Sequence, residues 1–199
     1  MAQKRKKKSQ RKSRGKSGVE KFFFFLILIG LGLLMVYLFR QEISNALKPW
    51  LEKKSVVREK KVITLYFSEP EGEYLVGEKR EISKKDKVEE EAKEAIIELI
   101  KGPKSTLIPT LPSRTKLLTL QIDEGGVAKV NFDPVLSKEH PGGSSAEMMT
   151  VYSVVNSLTI NFPTIKRVQF LVEGRQIETI AGHLSLKQPI PSKADLVKK

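Results

Sequence analysis

KLLTLQIDEGGVAKVNF, residues 116–132, carries the strongest hairpin signal in the chain. Leu118, Leu120 and Ile122 alternate with Thr119 and Gln121, and Ala128, Val130 and Phe132 alternate with Lys129 and Asn131. A period of two collects each apolar set on one face of a strand. Gly125-Gly126 lies between the runs and supplies the positive φ that a tight hairpin turn needs. Asp133-Pro134 ends the second run, because proline cannot donate to a continuing ladder. The stretch therefore reads as a hairpin with one apolar face, and that face has to be covered by other elements.

Two helices flank it. Residues 86–101 carry Val88, Ala92, Ala95, Ile96 and Leu99 at helical spacing, with Gly102-Pro103 as a stop. Residues 144–158 carry Met148, Val151, Tyr152, Val155 and Leu158 in the same way. Asp86 with Glu89, and Ser144 with Glu147, have the spacing of capping boxes. Further strands are expected at Val62 to Phe67, Tyr74 to Ile82 and Ile165 to Glu173, with a brief pairing at Glu178-Thr179-Ile180. This order predicts an α+β domain over residues 62–190, a two-layer arrangement of two amphipathic helices packed on one mixed or antiparallel sheet. Pro189 and Pro191 begin a polar C-terminal tail, residues 191–199.

The part before the domain has a different composition. The chain has 199 residues, 36 Lys+Arg, 23 Asp+Glu, a formal charge of +13 and no cysteine. Residues 1–21 hold ten basic side chains against Glu20, so +9 of the charge sits in a segment with almost nothing apolar to bury. Such a segment reads as a disordered cytoplasmic tail. FFFFLILIGLGLLMVYLF, residues 22–39, follows without a charge. As a helix it spans roughly 27 Å, close to a hydrocarbon core of roughly 30 Å. It lacks the polar stripe of a soluble core helix and reads as a transmembrane helix. Six basic residues occur in residues 40–60, fewer than precede the span, so the positive-inside bias places the N-terminus in the cytoplasm and the domain outside. A cleaved signal peptide with Ser44-Asn45-Ala46 as its processing site is the rival reading. Residues 40–61 form a juxtamembrane linker in which Lys48-Pro49 stops the helix and Trp50 can rest at the interface.

Little catalytic chemistry is legible. Without cysteine there is no thiolate nucleophile, zinc thiolate, disulfide framework or acylated lipoprotein N-terminus. His140 and His183 have no metal-ligand spacing, and no cofactor is expected. The basic tail has no aromatic residue on which a base could stack, so a nucleic-acid partner is not expected either. It reads instead as an orientation signal resting on anionic lipid. Gly142, Gly143, Ser144, Ser145 and Glu147, at a helix start, form the candidate interaction or ligand loop. Lacking the G-K-[ST] of a nucleotide loop, they point to no enzyme.

Several motifs occur in a familiar order: L-Y-F at residues 65–67, E-L-I-K-G-P at 98–103, L-P at 111–112, V-N-F-D at 130–133 and G-G-S-S-A-E at 142–147. V-V-N-S-L at 154–158, V-Q-F-L-V-E-G at 168–174 and G-H-L-S-L at 182–186 complete the series. Together they resemble the GerMN domain of bacterial sporulation and germination proteins. The resemblance implies an envelope protein exposed outside the cytoplasmic membrane, and it brings no catalytic residues. This chain has one copy where the sporulation protein has two, and an apolar span in place of a lipidated cysteine. The expected function is a membrane-anchored, single-pass, non-catalytic module that binds an envelope protein partner or self-associates. Exposed residues of the first or last strands, such as Thr64, Tyr66, Gln169 and Leu171, are the expected contacts. The alternative is a peptidoglycan- or small-ligand-binding module using the Gly142–Glu147 loop.

Overall fold

The computed structural model describes residues 17–52 and 59–198. Residues 1–16 of the basic tail and residues 53–58 of the linker lie outside the described residues. The chain divides into two compact units, residues 1–57 and 58–199.

The first unit contains one helix, α1, Ser17–Glu52. Val19–Glu42 is long and apolar enough to cross a membrane, and none of it is buried. Residues 17–21, expected in the disordered tail, already belong to the helix, and Lys48-Pro49 does not stop it. A proline this close to a helix end forfeits one intrahelical bond, and the last turn continues beyond it.

The second unit contains β1 (Lys60–Ser68), β2 (Leu75–Ser83), α2 (Val88–Ile100), β3 (Leu117–Ile122), β4 (Val127–Phe132), α3 (Val135–Lys138) and α4 (Ser144–Thr159). β5 (Arg167–Val172), β6 (Arg175–Gln176), β7 (Ile190–Pro191) and a short 3₁₀ turn (Ala194–Leu196) complete it. The hairpin read from residues 116–132 is present, with β3 and β4 antiparallel in the register Leu120↔Val130 and Ile122↔Ala128. Gly126 has φ +76° and its N–H donates to the Asp123 carbonyl at 2.9 Å. β4 then runs parallel to β5, with α3 and α4 in the crossover. A parallel pair needs a long connection, and α4 supplies it.

The α+β class is as expected, and the strands divide between two sheets. β1 and β2 form an antiparallel pair of their own, and β3-β4-β5-β6 form the larger sheet with β7 also on β5. Side chains explain the division. The outer edge of β1 is occupied from Thr64 onward: Asn161 accepts from the Thr64 N–H (2.9 Å) and donates to its carbonyl (2.6 Å), and Ser157 accepts from the Tyr66 N–H (3.0 Å). Beyond them Ser68 exchanges two backbone bonds with Ile108. α2 treats two other strand ends similarly, with Glu94 accepting from the Ser83 N–H and Glu89 from the Ile122 N–H. Sheet edges left open attract other chains, and these bonds close part of the edges from within.

Neither predicted capping box forms. The residue before α2 is Lys87 and that before α4 is Gly143, each without a side-chain cap. Glu89 bonds β3 instead, and Glu147 bonds a loop described below.

The core joins both sheets and both long helices: Leu65 and Phe67 from β1, Ile96 and Leu99 from α2, and Phe132 and Phe170 from the larger sheet. The Phe132 and Phe170 rings stack with centroids 6.2 Å apart. Each such side chain contributes roughly 1.5–3 kcal/mol by leaving water. α4 is enclosed around most of its circumference, which the 148-151-152-155-158 stripe does not anticipate. Thr150, Ser153, Asn156 and Ser157 are buried with its apolar residues, and all four hydrogen-bond.

The C-terminal segment also departs from expectation. β7 pairs with β5, the Asn156 amide exchanges two bonds of 3.0 Å with the Lys193 backbone, and Leu196 enters a small cluster with Tyr66, Leu75 and Met149. The Lys198 N–H reaches the Leu75 carbonyl at 2.9 Å. Residues 190–198 thus form a strap on the domain. The pairing expected at residues 178–180 falls instead at Arg175–Gln176.

Buried Arg80 packs against Phe67 (5.8 Å to the ring centroid) and donates to Glu78 and the Gly102 carbonyl. Burial pushes the Glu78 carboxyl up. Donors from Ser105, the Lys104 backbone and Arg80 outweigh that and bring it from 4.5 to about 2. A depressed folded-state pKa stabilises the fold fully above the unfolded value and is lost as pH falls through the folded one. Urea unfolding of the native chain should lose about 2–3 kcal/mol from this group as pH falls from 5 to 2, and Glu78→Gln should flatten that part of the profile.

Candidate functional site

The candidate loop leads from α3 into α4. Gly142 and Gly143 have φ of +81° and +87°, and no neighbour would meet a Cβ on either, so backbone conformation alone favours glycine there. Ser144 is exposed. The Ser145 hydroxyl donates to the Gly72 carbonyl at 2.8 Å and ties the start of α4 to the β1–β2 turn.

Glu147 points away from this loop. It is fully buried, and its Oε1 accepts from the Thr179 hydroxyl and from the Ile180 and Ala181 N–H groups at 2.7 and 3.0 Å. Its Oε2 accepts from the His183 N–H at 2.8 Å. Burial alone would raise its pKa, but these donors prevail and hold the carboxyl below the usual range. The structure therefore brings Gly142, Gly143, Ser144 and Ser145 together and assigns the Glu147 carboxylate to the 179–183 loop.

His140 forms a second polar chain. The Gly142 N–H donates to Nδ1 at 3.0 Å, so the ring proton sits on Nε2, which faces the Thr150 hydroxyl at 3.0 Å. That hydroxyl donates to the Thr110 carbonyl. Thr110 Oγ1 in turn donates to Ser153 at 2.7 Å. Burial lowers the His140 pKa, with the Glu147 charge offsetting part of the shift, and the ring is neutral at pH 7. Its Nε2 donates to Thr150 and so cannot take that hydroxyl's proton. The pair is a structural relay, with the wrong proton arrangement for a base and its nucleophile.

Sequence reasoning missed the cleft beside this chain. Pro70 and Gly72 from the β1–β2 turn, Ile108 to Pro112, Pro141, and Ala146 and Met149 of α4 surround about 370 Å³. Prolines from three separate loops form its walls, and a fixed φ makes those walls stiff. The signal was the recurrence of proline at 70, 109, 112 and 141, which reads in sequence only as loop punctuation. Of the expected strand contacts, Tyr66 and Gln169 are buried, and Thr64 and Leu171 are half-buried. Tyr66 is sealed by the strap, and the Gln169 amide bonds the Leu186 carbonyl at 2.9 Å. These residues are not a free surface.

Two long helices on paired sheets, with a parallel crossover through α4 and no assembled catalytic group at the loop, define a GerMN-type α+β domain. The sequence matches the Germane family, described as sporulation and spore germination, over residues 64–178, and the chain belongs to that family. Solved structures agree in fold. The first GerMN domain of the Bacillus subtilis sporulation protein GerM aligns over 68% of this chain and 99% of its own length, at 21% identity and a TM-score of 0.55. The tandem GerMN domains of the same protein align over 68% and 47% respectively, at 20% identity and a TM-score of 0.55. A Clostridium perfringens protein described as a lipoprotein aligns over 70% and 93%, at 24% identity and a TM-score of 0.50. Among curated proteins none matches.

Proposed function

We propose that this protein is a single-pass envelope protein, anchored by α1 in the cytoplasmic membrane. Its GerMN domain acts outside the cell as a non-catalytic interaction module. The observation that carries the reading is α1 itself: a span of membrane length with none of its residues buried, on a chain whose other unit has its own hydrophobic core. Exposed apolar surface of that extent requires lipid or a partner to cover it. Family membership supports a role in sporulation, germination or a related envelope process. The excess of basic residues before the span supports an N-terminus in the cytoplasm. A non-catalytic role is supported by Glu147 and His140, whose polar atoms are engaged within the fold. No observation favours the peptidoglycan or small-ligand reading of the Gly142–Glu147 loop.

Membrane fractionation with externally added protease tests this. The expected result is carbonate-resistant membrane retention, with the domain digested only when protease reaches the outer face. A domain protected in intact spheroplasts overturns the orientation, and release of a shortened chain into the medium favours the signal-peptide alternative.

A further inference from the structure

Resting on the interaction reading, we infer that the proline-walled cleft is an anchor pocket for a partner protein segment that inserts a bulky apolar side chain and carries Lys or Arg beside it. Three observations lead there. First, the cleft holds about 370 Å³, near the small end of the roughly 300–1,000 Å³ of ligand sites, and its walls are preformed.

Second, its polar side chains are already satisfied. Ser68 donates to the Glu69 carbonyl, Thr110 to Ser153, Ser145 to Gly72 and Thr150 to Thr110. Glu69, 5% exposed, accepts from the Tyr74 N–H and pairs with Lys198. A small polar ligand would find no convergent free groups, whereas an apolar anchor needs none and gains by excluding water.

Third, the rim is acidic. Glu71 lies between the lining residues Pro70 and Gly72, and Glu73 follows. Both are exposed, and neither forms an ion pair among the described residues. Lys198 feels this field: hydrogen bonding and charge from Glu69, then the charge of Glu71, raise its pKa. Exposed Ile108 at the mouth, 46% accessible, offers the apolar contact that precedes insertion. Complementarity therefore selects cations next to the apolar anchor.

The test presents full-length protein in nanodiscs to a bead-displayed library of short random peptides. Bound peptides should carry Leu, Met or an aromatic residue next to Lys or Arg. Ile108→Asp and Ala146→Trp, the second filling the cleft, should each weaken binding about tenfold or more. Glu71→Lys with Glu73→Lys should abolish its salt dependence. Peptides without cations, no bound peptide, or unchanged affinity in both cleft variants at wild-type melting temperature overturns the pocket.

In cells, a photo-cross-linker at Ile108 is compared with one at exposed Lys79 on β2. Capture at Ile108 of a protein with such a segment, lost in Ala146→Trp, supports the pocket. Capture at Ile108 of lipid or of a second copy overturns it. Capture only at Lys79 overturns it and leaves the interaction reading standing, and capture at neither removes both.

Discussion

Glu147→Ala is expected to destabilise the domain by about 4 kcal/mol or more, a large share of the roughly 5–15 kcal/mol that holds a typical domain folded. The substitution strands four donors, the Thr179 hydroxyl and the N–H groups of Ile180, Ala181 and His183. Each unsatisfied buried group costs about 1–3 kcal/mol, with part recovered as the loop opens to water. Glu147→Gln keeps the shape but turns an amide donor toward one of these donors, so a loss of about 2 kcal/mol is expected. Ser144→Ala is the contrasting control. Its side chain caps nothing, and its effect should stay within about 0.5 kcal/mol. Urea unfolding measures all three, and hydrogen exchange at residues 179–183 locates the damage. A Glu147→Ala protein within 1 kcal/mol of wild type would remove the structural role assigned to this carboxylate.

Gly126→Ala should cost about 3 kcal/mol and lower Tm by roughly 10 °C. Two independent effects add. The residue sits at φ +76°, where an L side chain is strained, and its Cβ would come within 2.6 Å of the Thr164 carbonyl and 2.9 Å of Lys166 Cγ. The carbonyl is backbone and cannot swing aside, and Lys166 itself donates to the Gly126 carbonyl at 2.7 Å. Relief would pull the hairpin turn away from the start of β5. The adjacent Gly125→Ala meets only Asp123 Oδ1 at 3.3 Å and has no positive φ, so it should cost under about 1 kcal/mol. Equal losses at the two positions in a thermal melt would show that close approach to β5 does not decide the effect.

The contrast between neighbouring glycines illustrates what the sequence made legible. Gly125-Gly126 announced a turn, and local chemistry sufficed to place it. What Gly126 must avoid lies some forty residues away, beyond any short-range pattern. The carboxylates behave alike. Glu89 and Glu147 have capping-box spacing, but spacing only says that an acid can reach back. Unpaired N–H groups at Ile122 and at residues 180–183 compete for the same oxygens and win. The strap was missed because prolines and charges mask an extended segment whose backbone is received by a side-chain amide. Gly142 to Ser145 are adjacent in any fold, so their proximity carries no information. The cleft beside them could not be read, since its walls come from loops brought together only by folding.

Asn161 on β1 and Lys198 on Leu75 also fix an order of events. The first strand completes its hydrogen bonding only after residue 161 has been made, and the second strand's start waits for Val197 and Lys198. While the chain is being synthesised, β1 and β2 exist as an unfinished ribbon with open margins, and contacts of such long sequence separation form late. A nascent chain stalled before residue 193 would leave the Asn156 amide and the Tyr66–Leu75 cluster uncovered. Proteases and holdase chaperones therefore have their opportunity on this molecule during production, until the bond from the Lys198 N–H to Leu75 closes it.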